Sequence, residues 1–453
     1  MTTDAFLLKM RAVVLRLNGG LAKQNTGIGK EGLRTRIASR KKPLMASMGL
    51  LLAMFVFYIY LGFTLARAEV FQDMDILFEL DVPRVINDLA NFSEGHHRTY
   101  VHPIYVLLVN PLGSFLHLLT GTQTGAAMMI NSFLGALGVS LAFIFFYLFG
   151  GRLFNSLLLA LVFGLSMSQI ILFASPETGS LAVVSLLLTY ILLLYGLQKK
   201  QLPWKWWVFA GVLTLGVTTT NFVQTFIAFS LLSFVLYKEN VSFIRLGANI
   251  VRYGFWVLGI TAGLALIQKV IYPNSSLFFL PAAYAEESGY ASLLVLQEPL
   301  LVAGQELKQF FLVNFIAPFP DTFTMPERGT LGVTFSSSWN YSAVGYVALA
   351  LWVGVLIFGM VKSLSYRKLM PFFLGITLCL LFNLLLHSIY GVGEKGKIEY
   401  LVYAGNFSFL IMAFLSPFAR SSSRWITILL LVLIVLMGVN NLLVYRDILS
   451  VYQ

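Results

Sequence analysis

Eleven apolar runs, most of them close to 20 residues long, constrain this chain more than any other feature. About 20 apolar residues are what an α-helix needs to cross the hydrocarbon core of a bilayer. An alternating barrel pattern is absent, so we predict an all-α polytopic membrane protein with about 11 transmembrane helices. The runs cover residues 44–65, 124–149, 153–173, 178–198, 206–220, 222–236, 253–272, 341–361, 370–390, 400–417 and 425–444.

Composition agrees with this class of protein. The 453-residue chain is 58% hydrophobic and 11% charged, whereas soluble domains are roughly 25% charged. These values exclude a soluble enzyme, a disordered chain and a fibrous repeat. The single cysteine, Cys379, can form no intrachain disulfide. The chain carries no phosphate-binding loop motif, so we expect no nucleotide-driven cycle and no cofactor.

The distribution of charge predicts the topology. The net charge of +11 comes from 31 Lys and Arg residues against 20 Asp and Glu residues. In so apolar a chain a basic excess indicates positive-inside orientation rather than nucleic-acid binding. If segment 103–119 lies at the outer interface without crossing, 22 of the 31 basic residues face the cytoplasm, ten of them in residues 1–43. We therefore expect a cytoplasmic N-terminus, an uncleaved anchor at 44–65 and an interfacial helix at 103–119.

This topology divides the chain into three parts. Residues 1–43 form a basic cytoplasmic tail, residues 44–236 form a module with a first outer loop at 66–123, and residues 237–453 form a second membrane part. The second part has a long outer loop at 273–340 and a short one at 391–399. The pair 206–220 and 222–236 forms either a tight hairpin or one broken span, and the second choice would reverse all later segments.

The first outer loop is acidic. Val82, Val85, Ile86 and Leu89 recur at the spacing of an amphipathic helix, with Asp81 at its start. Asp81 is therefore either a helix N-cap, or a fixed carboxylate that acts as a base, or both. Seven of the 20 acidic residues lie in residues 66–102, namely Glu69, Asp73, Asp75, Glu79, Asp81, Asp88 and Glu94.

A histidine-rich segment follows this helix. His96, His97 and His102 are three of the five histidines in the chain. Histidine and carboxylate side chains are zinc ligands, which leaves a divalent metal as an alternative, but their spacing fits no standard zinc motif and we predict no metal site. Arg98 with His97 either binds a phosphate group or contacts lipid headgroups.

The order of these parts resembles the GT-C superfamily of integral membrane glycosyltransferases over about residues 44–200. This superfamily includes the protein mannosyltransferases, the aminoarabinose transferases of lipid A and the family 39-like bacterial transferases. The matching features are an acid followed three residues later by Arg, a His-Pro pair followed by an aromatic residue, a basic turn, and a Pro-acid pair. They correspond to Asp81 and Arg84, His102-Pro103 with Tyr105, Arg152 in Gly150–Phe154, and Pro176-Glu177.

The resemblance implies a function and a set of site residues. Members transfer a sugar from a polyprenyl-phosphate-linked donor to an acceptor hydroxyl at the outer face of the membrane. It implies a carboxylate base, for which Asp81 is our first choice and Asp75 our second, with Asp88 and Glu177 orienting the base or the acceptor. The substrate-binding candidates are Arg84, His97, Arg98, His102, Glu177, Lys395 and Lys397.

Two other classes of function remain open at this stage. A transporter or flippase of lipid-linked sugars would carry polar residues at mid-membrane, and here only side chains such as Asn131, Asn221, Asn383 and His387 interrupt the runs. An O-antigen polymerase or ligase would use a large late loop, but 273–340 contains Arg328 and no His. The expected location is the bacterial inner membrane, and the acceptor is a glycan, a lipid or a protein.

Overall fold

The protein is mostly helical, with one small sheet in the part of the chain that is described. The computed structural model describes residues 30–68, 70–92, 96–237, 242–281, 285, 287–325, 329–390 and 398–453, and the side-chain surroundings of all of these except 30–40, 97 and 290. The first half contains α1 (Lys30–Arg67), α2 (Val82–Ala90), α3 (Tyr105–Thr120), α4 (Gln123–Gly150), α5 (Leu153–Gly164), α6 (Met167–Ala174), α7 (Gly179–Lys199), α8 (Trp204–Val217) and α9 (Asn221–Tyr237).

The second half combines long helices with shorter pieces and one hairpin. Strands β1 (Asp321–Thr324) and β2 (Leu331–Thr334) pair antiparallel, with Asp321 opposite Thr334. The helices are α10 (Phe243–Ile271), α11 (Leu294–Gln297), α12 (Pro299–Lys308), α13 (Ala343–Leu364), α14 (Met370–Tyr390), α15 (Ser408–Ala413), α16 (Ser416–Arg420) and α17 (Arg424–Val451).

Seven helices in the described part of the chain are long and apolar enough to cross a membrane: α1, α4, α7, α10, α13, α14 and α17. An eighth span results if the bent pair α5 and α6 is counted as one. These helices make the chain a multi-pass integral membrane protein. The expected number of about 11 is not confirmed. Helices α8 and α9 have only 14 and 17 residues, and 400–417 forms a turn and two short helices.

The run at 153–173, expected to be one straight span, is broken between α5 and α6 by a bend of 68°. A break inside an apolar bundle leaves backbone groups that need new hydrogen-bond partners. The Asn441 amide of α17 donates to the carbonyl oxygens of Leu165 at 2.9 Å and Phe315 at 2.7 Å. The Ser168 amide donates to the Asn314 carbonyl at 3.0 Å. The bend is therefore held from two other parts of the chain.

The helices differ in how much of their apolar surface meets protein. In the most apolar window of α7, 78% of the residues are buried inside the protein, and in α4 56% are. The corresponding share is 28% in α1, α10 and α17. Helices α4 and α7 thus form the centre of the bundle, and the other three leave most of their apolar surface to the surrounding lipid.

The predicted amphipathic helix is present as α2. Val82, Val85, Ile86 and Leu89 are all buried, as their spacing predicted, and α2 packs on α3 and α4. The opposite face is not simply exposed, however, because Asp88 is buried as well. Helix α2 is therefore covered by protein on both sides at that position.

Gly113 permits the close approach of α3 to α2. A Cβ atom at this position would overlap the backbone carbonyl of Leu89, near the end of α2. Backbone cannot give way as a flexible side chain can, so any larger residue must push α2 aside.

We therefore expect Gly113→Ala to lower the apparent melting temperature of the detergent-solubilised protein by about 2–6 °C. The matched control is Gly259→Ala, where a Cβ atom would have nothing within 4 Å and where alanine favours the helix. Scanning fluorimetry measures both variants. A Gly113→Ala protein that melts with the wild type would contradict the packing described for α2 and α3.

Candidate functional site

Helix α2 arranges three charged side chains along one face. Arg84 lies three residues after Asp81 and four before Asp88, which places all three on neighbouring turns. The Arg84 Nη2 atom is 2.9 Å from Asp81 Oδ2, and its Nη1 atom is 3.1 Å from Asp88 Oδ2. Burial alone would lower the pKa of Arg84, but neighbouring carboxylates, Asp81 foremost, raise it overall. Arg84 is therefore a permanent cation between two carboxylates.

Asp88 is held on both of its carboxylate oxygens. Its Oδ2 atom accepts from Arg84, and its Oδ1 atom lies 2.7 Å from Nδ1 of His96. The side-chain amide of Asn110 also donates to the Asp88 backbone carbonyl at 3.0 Å. Asp88 is 5% exposed. A buried carboxylate with both oxygens occupied suits a positioning role. The sequence analysis placed Asp88 in the site but did not identify its partner His96.

Arg98 connects this cluster to the long loop that begins after α10. Its Nη1 atom donates to Asp81 Oδ2 at 3.3 Å, and its Nη2 atom donates to Glu287 Oε1 at 2.7 Å. The Tyr100 hydroxyl donates to the same Glu287 oxygen at 3.1 Å. Glu287 was not among the predicted site residues. Only the three-dimensional structure pairs it with Arg98, which is 189 residues away in sequence.

Asp81 differs from Asp88 in having an accessible oxygen. All three contacts from Arg84 and Arg98 reach its Oδ2 atom, and within the described residues its Oδ1 atom has no hydrogen-bond partner. The side chain is 23% exposed. Asp81 occupies the N-cap position of α2 but makes no side-chain capping bond. One anchored oxygen and one accessible oxygen are what a fixed base requires.

Glu177 lies in the turn between α6 and α7. Its Oε1 atom accepts from the Thr178 amide at 2.8 Å and from the Thr178 hydroxyl at 2.9 Å. Asn131 fixes the turn, because its amide donates to the carbonyls of Leu172 and Ser175 and its Oδ1 atom accepts from the Glu177 amide at 3.3 Å. Burial raises the pKa of Glu177, an effect that the charge of Arg84 opposes.

Several buried polar atoms of these segments have no hydrogen-bond partner among the described residues, and three of them belong to side chains of the cluster or beside it. They are Nε2 of His96, the hydroxyl of Tyr105 and Oε2 of Glu177. Tyr105 interacts electrostatically with Glu177, Asp88 and Arg84, which places it beside the cluster. Buried polar atoms are seldom left unpaired in proteins. These three atoms are therefore available to a polar ligand or to water.

His102 has a structural partner. Its Nδ1 atom donates to the carbonyl oxygen of Val217 at 2.7 Å, at the end of α8. Burial lowers the pKa of His102 to about 3, and the charge of Arg84 acts in the same direction. The imidazole is thus neutral at physiological pH. It ties the first loop to the α8–α9 turn, where Ile104 also donates to the Gly216 carbonyl at 2.8 Å.

The remaining predicted site residues are less closely defined. The His97 side chain, Lys395 and Lys397 lie outside the described residues. Asp75 has a left-handed backbone, with φ of 66°, as do Phe78 and Glu79, and its amide donates to the Leu80 carbonyl at 3.2 Å. This tightly turned segment holds Asp75 close to the start of α2, so it remains our second candidate for the base.

A second polar cluster lies between α12, α14 and the segment after residue 397. The His387 ring stacks on Tyr403 at 4.4 Å and lies 6.4 Å from Tyr400, and Tyr400 interacts electrostatically with Glu306. Within the described residues, both ring nitrogens of His387, the Tyr400 hydroxyl and Glu306 Oε1 have no hydrogen-bond partner. This cluster has no sequence signature, because its members are far apart in the chain.

Comparisons with known proteins leave the family open. No protein-family model matches the chain, and no curated protein matches it. Within the described residues, no group of three or more His, Cys, Asp or Glu side chains could hold a metal ion. The chemistry of the site is therefore argued from its own residues.

The raised pKa of Glu306 leads us to expect that the stability of the protein depends on pH. Burial raises its pKa to about 8 from 4.5, so the folded protein keeps a proton that the unfolded chain releases. Stability must then fall as the pH rises from about 4.5 to about 8, at about 1.4 kcal/mol per pH unit at most. We expect Glu306→Gln to lose this part of the pH slope in thermal melts.

The matched control for this measurement is Glu298→Gln, which changes an exposed glutamate at the start of α12. Glu177 and Glu399, whose pKa values burial also raises, add to the slope of every variant. The comparison is therefore between slopes. A Glu306→Gln protein with the wild-type slope would disprove the assignment.

Proposed function

We propose that this protein is a glycosyltransferase that moves a sugar from a polyprenyl-phosphate-linked donor to an acceptor hydroxyl. The observation that carries the proposal is the state of Asp81. One of its oxygens is anchored by Arg84 and Arg98, and the other has no partner within the described residues. A carboxylate fixed in this way can accept a proton from a hydroxyl group as the hydroxyl attacks.

The proposed reaction needs one proton transfer and one good leaving group. The acceptor oxygen forms a bond to the anomeric carbon, the bond from that carbon to the donor phosphate breaks, and the hydroxyl proton passes to Asp81 Oδ1. The phosphate leaves with the bonding electrons and needs cations more than it needs an acid. Glu177 and Tyr105, with their unpartnered oxygen atoms, are placed to hydrogen-bond the acceptor or the sugar.

The charge of the cluster limits where the phosphate can bind. Three carboxylates, of Asp81, Asp88 and Glu287, share two guanidinium groups, so the cluster has no positive charge to spare. A phosphate at this position therefore requires further cations. We propose that Lys395 and Lys397 supply them from the loop after α14. The Tyr403 ring, beyond that loop, lies within electrostatic range of Arg98 and Glu287, which supports this placement.

We also propose that the acidic cluster faces the outside of a bacterial inner membrane, with the N-terminus in the cytoplasm. The contacts of the short helices α8 and α9 support our proposal that each of them is a further crossing. The turn between α8 and α9 meets the first loop, where the Thr219 amide donates to the Val101 carbonyl. The basic residues Lys199, Lys200 and Lys205 lie at the other end of α8. We therefore propose that α8 and α9, although shorter than the long spans, form a hairpin that crosses the membrane twice.

The test of the proposed base is Asp81→Asn, which keeps the shape of the side chain and its bonds to the arginines. We expect sugar transfer to fall by about 10²–10⁴-fold, the usual contribution of general base catalysis. Purified protein is incubated with synthetic polyprenyl-phosphate hexoses and pentoses and with glycan or lipid acceptors from the cell envelope. Release of polyprenyl phosphate and glycosylation of the acceptor are both measured.

Glu298→Gln is the control, because it removes an exposed carboxylate outside the cluster. It should transfer sugar at the wild-type rate. Full activity in Asp81→Asn would show that Asp81 is not the base. Asp75 would then be the candidate, and Asp75→Asn tests it. If the intact donor moves across proteoliposome membranes and no sugar is transferred, the protein is a flippase and the proposed transferase activity is wrong.

A further inference from the structure

A basic cavity lies at the end of the bundle opposite the acidic cluster. Helices α4 and α17 have 28 residues each, a length of about 42 Å at 1.5 Å per residue. Helix α4 starts just after the first loop, and α17 ends where Tyr452 donates to the Ile76 carbonyl in that loop. The far ends of both helices, at Gly150 and Arg424, therefore lie at the end of the bundle away from the first loop, which carries Asp81.

The cavity is large enough for a small polar group. Its volume is about 400 Å³. Its polar lining consists of Arg152, Asn155, Ser421, Ser422, Arg424 and Thr427.

The bottom of the cavity is organised by Asn155, which is buried. Its amide donates to the carbonyl oxygens of Phe418 and Ser421, both at 3.1 Å, and its Oδ1 atom accepts from the Thr427 hydroxyl at 2.9 Å. These bonds fix the starts of α5 and α17 relative to each other. The two arginines that flank the cavity are thus carried by a rigid frame.

The charge of the cavity is uncompensated. Neither Arg152 nor Arg424 forms an ion pair with an acidic residue in the described part of the chain. Both side chains are exposed, and a third exposed arginine, Arg420, lies four residues before Arg424. Paired guanidinium groups bind phosphate with charge-assisted, frequently bidentate hydrogen bonds.

The surface beside the cavity is apolar. Phe154 and Ile428 complete its lining, and they are 54% and 48% exposed. Trp425, 77% exposed, lies next to Arg424, as aromatic residues do at the membrane interface. A ligand that fits both surfaces has an anionic phosphate joined to a hydrocarbon chain.

We propose that this cavity binds the phosphodiester of an anionic phospholipid, with Arg152 and Arg424 on the phosphate and the acyl chains along Phe154 and Ile428. The inference is independent of the proposed glycosyl transfer, because it concerns the other end of the protein. Each basic residue near a membrane surface contributes about 1 kcal/mol to the binding of anionic lipid. Two arginines therefore correspond to about a 30-fold preference for a lipid with net negative charge.

The experiment is native mass spectrometry of the purified full-length protein, titrated with phosphatidylglycerol or phosphatidylcholine. We expect phosphatidylglycerol to bind at least tenfold more tightly than phosphatidylcholine. Arg152→Gln/Arg424→Gln should lose this preference. Arg152→Lys/Arg424→Lys should keep part of it, because lysine retains the charge but not the bidentate geometry. The control is Arg245→Gln/Arg367→Gln, which removes two exposed arginines outside the cavity.

Three results would overturn the proposal. The first is a wild type without preference for phosphatidylglycerol, and the second is a preference that survives Arg152→Gln/Arg424→Gln. The third is displacement of phosphatidylglycerol by inorganic phosphate at equal concentration, which would assign the cavity to a free phosphate group. Retained melting temperature in the Gln variants shows that the fold is intact, so loss of lipid binding then reports on the cavity itself.

Discussion

The pairing of carboxylates with guanidinium groups at the start of α2 is the interaction on which the site depends. A carboxylate as buried as Asp88 would be strongly unfavourable alone. Arg84 and His96 make it tolerable by occupying both of its oxygens. Arg84 also holds the partly exposed Asp81. The same guanidinium group therefore stabilises Asp88 and fixes Asp81. A substitution of Arg84 would therefore affect both the stability of the fold around Asp88 and the chemistry proposed for Asp81.

The scaffold around this cluster follows from the requirement that backbone polar groups in an apolar bundle find partners. Asparagine side chains supply these partners at two irregular points of the bundle. Asn441 holds the bend between α5 and α6, and Asn131 holds the turn before α7 that carries Glu177. Polar residues inside the predicted spans thus have a structural use here.

Periodicity and hydropathy were sufficient for the regular parts of the molecule. The spacing of Val82, Val85, Ile86 and Leu89 predicted α2 correctly, and runs of about 20 apolar residues predicted the long spans. Hydropathy failed where an apolar segment is surrounded by protein instead of lipid. Segment 400–417 has the composition of a span, yet its short helices are almost completely buried. The bend at 165–166 has no Pro, and the flanking Gly164 and Ser166, although typical of kinks, also occur inside continuous helices.

Contacts within the site could likewise be predicted from the sequence only in part. Contacts three and four residues apart, such as Asp81 with Arg84, follow from helix geometry. The contact of Asp88 with His96 reaches a residue beyond the end of α2, and the contact of Arg98 with Glu287 joins residues 189 positions apart, so neither follows from spacing. The role of Asp81 remains a prediction, as does the family resemblance that suggested it.

The link from Arg98 to Glu287 has a consequence for how the protein is made. Residues are inserted into the membrane in order of synthesis, and 189 positions separate the two partners. Until residue 287 has emerged, Arg98 and Tyr100 lack a partner that they have in the finished protein. Contacts over such separations form late and slowly. The acidic cluster is thus complete only after the segment that carries Glu287 has folded against the first loop. The proposed chemistry therefore depends on completed assembly of both parts of the chain.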